Sequence, residues 1–216
     1  INYVYTNLKF ILTGCINGMC PDHKFHSIIL RMMVVLFGEE NAWAIRFPAF
    51  AAGIITLIFV HRLSRELFSS PLIPWFALII AVLSEVHIYY SQTARGYSFV
   101  ILFSTAMTYS SIKILSESHS AKWCWALCVF AFLGTYTIIT TAYFVISLAV
   151  WMGLVLLIPQ WSQEFNISSV QRKRKAVQCI KVFLIAGILS FLAYLPILQE
   201  LVTAASSEQK IHVKFH

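Results

Sequence analysis

Apolar residues run through this chain in long blocks separated by short polar breaks. A helix that crosses a bilayer needs about 20 mostly apolar residues. Blocks over residues 47–60, 72–90, 97–115 and 176–195 fit that pattern. The block over 123–158 is too long for one crossing and short for two, so it is read as two short helices with a tight turn near residues 134–137. No block alternates polar and apolar positions as a barrel strand would. Backbone groups in lipid must be satisfied within their own segment, so these blocks are helices.

The first 45 residues read differently. Segments 1–12 and 25–37 are apolar but flanked or broken by Lys9, Lys24 and Arg31. They are read as amphipathic helices lying in the membrane interface. Gly14, Asn17, Gly18 and Pro21 make the stretch between them a loop. The expected architecture is all-α and polytopic, with two N-terminal interfacial helices and about six transmembrane helices. Its parts are a juxtamembrane region at 1–45, a helical bundle at 46–198 and a polar tail at 199–216.

Composition agrees with lipid as the solvent. The chain has 216 residues, of which 59 % are hydrophobic and only 12 % charged. Soluble domains carry roughly 45–50 % apolar and about 25 % charged residues. A soluble fold of this size could not hide so much apolar surface. The chain begins at Ile1 with no signal-peptide pattern. Both ends are read as fragment boundaries.

The net charge of +7 matters through its placement. Lys and Arg favour cytoplasmic loops. If the segment before Arg46 lies outside, Arg62 and Arg65 fall inside and 91–96 outside. Lys113 and Lys122 then fall inside, 134–137 outside, and the cluster Arg172, Lys173, Arg174 and Lys175 inside. The opposite orientation would put that cluster outside. The membrane is expected to be a bacterial inner membrane, and this orientation puts the N-terminal region on its non-cytoplasmic face.

Three polar clusters then share the outer face. One is Asp22-His23-Lys24-Phe25-His26, which holds the sole aspartate of the chain. A second is Arg46-Phe47-Pro48 at the start of a span. The third, residues 85–97, collects Glu85, His87, Arg95 and Tyr97 at one boundary. Ionisable groups at that depth are costly, which makes them functional candidates. A plainer reading stands beside this: aromatic residues gather at interfaces anyway, and Arg95 can simply reach the headgroups.

These residues also carry a resemblance. The run His26-Ser27-Ile28-Ile29-Leu30-Arg31, then Leu36-Phe37-Gly38-Glu39, then Arg46-Phe47-Pro48 through Gly53, resembles the GT-C class of membrane glycosyltransferases. That class contains the protein O-mannosyltransferases and the aminoarabinose transferase of lipid A, whose members read "HPPL–LLR–LFG–RLPSALAG" here. The stretch Tyr89-Tyr90-Ser91-Gln92-Thr93-Ala94-Arg95-Gly96-Tyr97 is similar to the family's "YYSQEARGY". Gly134-Thr135-Tyr136-Thr137 resembles "GLYTH". Order and spacing agree across residues 1–158.

The resemblance implies transfer of a sugar from a polyprenyl-phosphate-linked donor to a lipid, glycan or protein acceptor on the non-cytoplasmic face. An acidic base deprotonates the acceptor hydroxyl, and basic side chains stabilise the departing phosphate. In the family that base follows the first span, which places it upstream of Ile1, so the fragment alone is expected to be inactive. Three further departures are visible. The "HPP" position reads His23-Lys24-Phe25, Thr93 replaces a frequent Glu, and Glu85 replaces a proline or small residue. Asp22 and His23 are the catalytic candidates within the chain. Arg95 is the first choice for the lipid phosphate, with Lys24 and Arg46 as weaker partners. Tyr97 would pack on lipid or sugar, and Glu85 and His87 complete the candidate substrate-binding set. No cofactor is assigned, a divalent cation remaining compatible with the chemistry.

Other patterns weigh less. Cys15, Cys20, His23 and His26 have zinc-ligand types at an unusual spacing; a Cys15–Cys20 disulfide is a better reading than zinc, and free thiols stand beside it. Cys124 and Cys128 sit one helical turn apart and read as packing residues. The basic run 172–175 lies between spans without interleaved aromatics, so no nucleic-acid partner is expected. Ala49, Ala51, Ala52 and Gly53 form a small-residue face suited to helix packing. The rival functions are a transporter or flippase segment and a non-catalytic membrane scaffold. Those rivals separate from an enzyme on whether outer-face carboxylates, or a solute gradient, are required.

Overall fold

The computed structural model describes residues 23–117 and 120–213, with side chains to Pro196. Segment 1–12, the loop 14–22 and with it Asp22, Cys15 and Cys20 lie outside the described residues. The described residues form nine helices and no strand. They are α1 (Lys24–Phe37), α2 (Ala42–Leu67), α3 (Ile73–Leu83), α4 (Glu85–Gln92), α5 (Tyr97–Ser116), α6 (Ala121–Thr137), α7 (Thr141–Leu157), α8 (Pro159–Glu164) and α9 (Ser169–Val213). The protein is an all-α polytopic membrane protein.

Local chemistry sets the boundaries. Gly38 ends α1 at φ +84°, a conformation that disfavours any side chain. Asn41 then caps α2 by accepting from the Ala44 N–H at 3.1 Å. Pro74 opens α3, where a missing N–H costs nothing.

The block read as one span over 72–90 is broken at Ser84 into α3 and α4, which meet at 58°. Ser84 ends one helix and caps the next, its hydroxyl accepting from His87 N–H at 3.4 Å. Glu85 falls in the first turn of α4, where its charge complements the helix dipole. Helix α6 runs on through Gly134 to Thr137, and the turn into α7 lies at 138–140 rather than 134–137. Gly134 is helical and closely packed: a Cβ there would meet Thr141 at 3.0 Å and Phe103 at 3.5 Å.

By length and composition α2, α5 and residues 169–196 of α9 can each cross a membrane, and α3 with α4 makes a fourth crossing if the bent pair is one span. Helix α7 is apolar but only 17 residues long, and α6 has the same length.

The core inverts the hydropathy order. Of the three long spans α5 is the least apolar, yet 67 % of its apolar window is buried. Helix α9 is the most apolar and only 17 % buried. Lipid solvates apolar faces as well as protein does, so small polar residues turn inward. Ser110 and Ser111 are fully buried and return their hydroxyls to the carbonyls of Ala106 and Met107. Around them pack Phe103, Met107, Leu127, Met152 and Ala52.

Polar contacts gather at two ends of the bundle. His23, Ser91–Tyr97 and the α6–α7 turn share one end. Glu66, Lys113, Glu117 and Lys175 share the other, where Lys113 pairs with Glu66 at 2.6 Å and Glu117 at 3.5 Å. Lys175 does not sit on a solvated basic face. It is 4 % exposed and donates to the Ile114, Leu115 and Glu117 carbonyls at the end of α5.

Candidate functional site

The site is assembled at the first of these ends, where α1 and α5 begin and α4 and α6 finish. His23 precedes α1 and sets its ring edge-on to Tyr97, 4.9 Å between centroids. Tyr97 continues to Tyr90 at 4.7 Å, and Tyr90 to Tyr89 at 5.4 Å. Ser98 ties the two helices by donating to the Tyr90 carbonyl. Gly96 makes this closeness possible, since a Cβ there would come 2.9 Å from both His23 Nδ1 and Thr137 Cγ2.

Beneath His23, Lys24 is buried, with its ammonium 4.5 Å from the ring centroid of Tyr194 in α9. Tyr194 donates its hydroxyl to the Thr135 carbonyl at 2.9 Å. His26, 3 % exposed, faces Phe99 at 6.0 Å. Burial, with the charge of His23 as a second cause, pushes the His26 pKa down to about 4. It is therefore a neutral imidazole at physiological pH.

A separate groove of about 930 Å³ opens beside this cluster between α1, α2 and α4. Phe37, Trp43 and Phe47 give it apolar walls, and Asn41, Arg46 and Ser91 give it polar ones. Arg46 is exposed on its wall, and among the described residues it enters no ion pair. Arg95 is also exposed, in the bend between α4 and α5.

The predicted residues thus divide. His23, Lys24 and Tyr97 meet in one cluster. Arg46 lies on the groove, and Arg95 stands three residues past its Gln92 wall. His87 is half-buried against α2, 3.8 Å from where a Cβ on Gly53 would lie. Glu85 opens α4, about 10 Å along the helix axis from Gln92 at 1.5 Å per residue. Among the described residues no group of three or more His, Cys, Asp or Glu side chains is placed to hold a metal.

Sequence reasoning missed Tyr194, Thr135 and the tight packing of Gly96. The aromatic and small character of these positions was visible. Their meeting was not, because Tyr194 and Thr135 are 59 residues apart.

No curated protein and no solved structure matches this chain. Residues 24–198, which take in α1, the groove and the bundle as far as residue 198 in α9, match the dolichyl-phosphate-mannose-protein mannosyltransferases. That match covers well over half of the sequence, and the chain belongs to this family of membrane glycosyltransferases.

Proposed function

We propose that the complete protein is an inverting glycosyltransferase that uses a polyprenyl-phosphate-linked sugar on the non-cytoplasmic side of a bacterial inner membrane. The observation that carries this reading is the groove between α1, α2 and α4. It joins aromatic walls to the Arg46 guanidinium at the end of the bundle that also holds His23 and Tyr97. An isoprenoid phosphate needs that pairing of apolar surface and fixed positive charge.

In the reaction a carboxylate takes the proton of the acceptor hydroxyl. The hydroxyl oxygen attacks the anomeric carbon, and the carbon–oxygen bond to phosphate breaks with its electron pair on the leaving phosphate. A single displacement inverts the anomeric centre. Arg95 and Arg46 receive the growing phosphate charge. Asp22 and His23 orient acceptor or sugar, and Tyr97 offers a face for it. Lys24, held against Tyr194, is a weaker phosphate partner at the start of α1. Glu85 and His87 act through the placement of α4.

The test is sugar transfer by the complete protein in proteoliposomes, with a radiolabelled polyprenyl-phosphate sugar. Arg46→Ala and Arg95→Ala should each slow transfer roughly a hundredfold to a thousandfold. Arg62→Ala, at the other end of α2, should leave it unchanged. Full activity in both site variants would remove the phosphate assignment. Gradient-driven solute uptake without transfer would replace the enzyme by a transporter.

A further inference from the structure

At the end of the bundle away from the candidate site, α7 and α9 run side by side and leave a second groove of about 740 Å³ between them. Its mouth is basic: Arg172 and Lys173 line it, with Ser169 beside them. Its length is apolar, through Leu157, Ile180 and Leu184. Among the described residues no carboxylate lines it. Gly153 forms part of its wall, and a Cβ built there meets no atom within 4 Å. The groove is therefore open space rather than a tight helix contact.

From Arg172 to Leu184 the groove follows α9 for about 18 Å at 1.5 Å per residue. One leaflet of hydrocarbon is about 15 Å deep, half of the usual core. That length suits a basic pair at headgroup level with an apolar stretch reaching toward the bilayer midplane. Trp161, 41 % exposed on α8 at the same end, is the type of residue that gathers at that level. A partner helix would fill the apolar stretch but leave the two cations without counter-charge. A phospholipid with an anionic headgroup supplies both parts in one molecule.

We propose that this groove is a binding site for one anionic phospholipid, with its headgroup phosphate on Arg172 and Lys173 and an acyl chain along Gly153 and Ile180. The site lies apart from the sugar-transfer groove and does not depend on the reaction assigned to it.

The complete protein in nanodiscs would be photolabelled with phosphatidylglycerol or phosphatidylcholine carrying a diazirine in one acyl chain, and the labelled peptides mapped. Phosphatidylglycerol should label segment 149–184 at least fivefold more than phosphatidylcholine does. Arg172→Ala with Lys173→Ala should remove that preference. Gly153→Leu should reduce labelling by at least fivefold while leaving the fold intact, because it enters open space and favours helix. Equal labelling by the two lipids would overturn the proposal. So would full labelling in Gly153→Leu, or a groove closed to both lipids by another helix of the complete protein.

Discussion

The ammonium of Lys175 stands 3.0 Å from the carbonyl oxygen of Leu115, across 60 residues of chain. With its bonds to the Ile114 and Glu117 carbonyls, it satisfies three acceptors at the end of α5 that have no donor within the helix. A cation there also complements the helix dipole. Lys175→Met keeps the apolar stem and removes all three donors. It should cost about 2–4 kcal/mol, seen as a lower thermal midpoint of the purified protein in detergent. Arg174→Met, at the exposed neighbouring position, should stay within about 0.5 kcal/mol of the parent. Equal effects of the two would show that the cap carries no stability.

Gly96 is the point where α5, His23 and Thr137 come closest. Its φ is −71°, so the backbone itself accepts any residue and only space is at issue. Gly96→Ala should destabilise by about 1–3 kcal/mol as an overpacked contact. Because it displaces the His23 ring from Tyr97, it should also depress sugar transfer by the complete protein more than it depresses the thermal midpoint. Unchanged transfer in a folded Gly96→Ala protein would separate the His23–Tyr97 pair from activity.

Gly53 on α2 presents the same situation toward α4. A Cβ there would collide with Ser91 Oγ and come 2.9 Å from Ser91 Cβ. Gly53→Ala alone should cost about 1–3 kcal/mol. Ser91→Gly, which removes both atoms, should recover most of that loss. A double-mutant cycle on denaturation midpoints should give a coupling of about 1 kcal/mol or more. Simple additivity would mean that α4 shifts freely instead of resting on α2.

His26 makes stability depend on pH. Its pKa falls from 6.5 in the unfolded chain to about 4 in the fold. Between those values the unfolded state binds more protons, so stability rises with pH. The full contribution, on the order of 3 kcal/mol, is present above pH 6.5 and is lost as pH falls through 4. His26→Phe should flatten the midpoint-versus-pH curve over that interval. An unchanged slope would assign the acid sensitivity to other groups.

Much of the candidate site's raw material was legible in the sequence. The Tyr89–Tyr97 run and the His26–Arg31 and Arg46–Gly53 stretches pointed to the family that residues 24–198 match. Groove walls such as Trp43 and Ser91 were not recognisable as partners, since the α1–α2 turn and the end of α4 meet only in space. Asp22 lies outside the described residues.

The sequence by itself determined an all-α membrane protein and the rough place of its apolar blocks, while the structure carries the last helix on to Val213 through the stretch read as a polar tail. Apolar block length acts within a few residues of where it stands, so its effect is readable locally; the stop at Gly38 and the cap at Asn41 were seen only in the structure. It did not determine that α3 and α4 bend by 58° at Ser84. Nor did it show that α5, with its hydroxyls, would be the buried helix and α9 the exposed one. In lipid, apolar character does not tell a helix which way to face; the fit of small residues such as Gly53, Gly96 and Ser110 against their neighbours does. Tertiary structure alone took Lys175 out of the basic cluster and brought Tyr194 to Lys24, because both contacts join segments far apart in the chain.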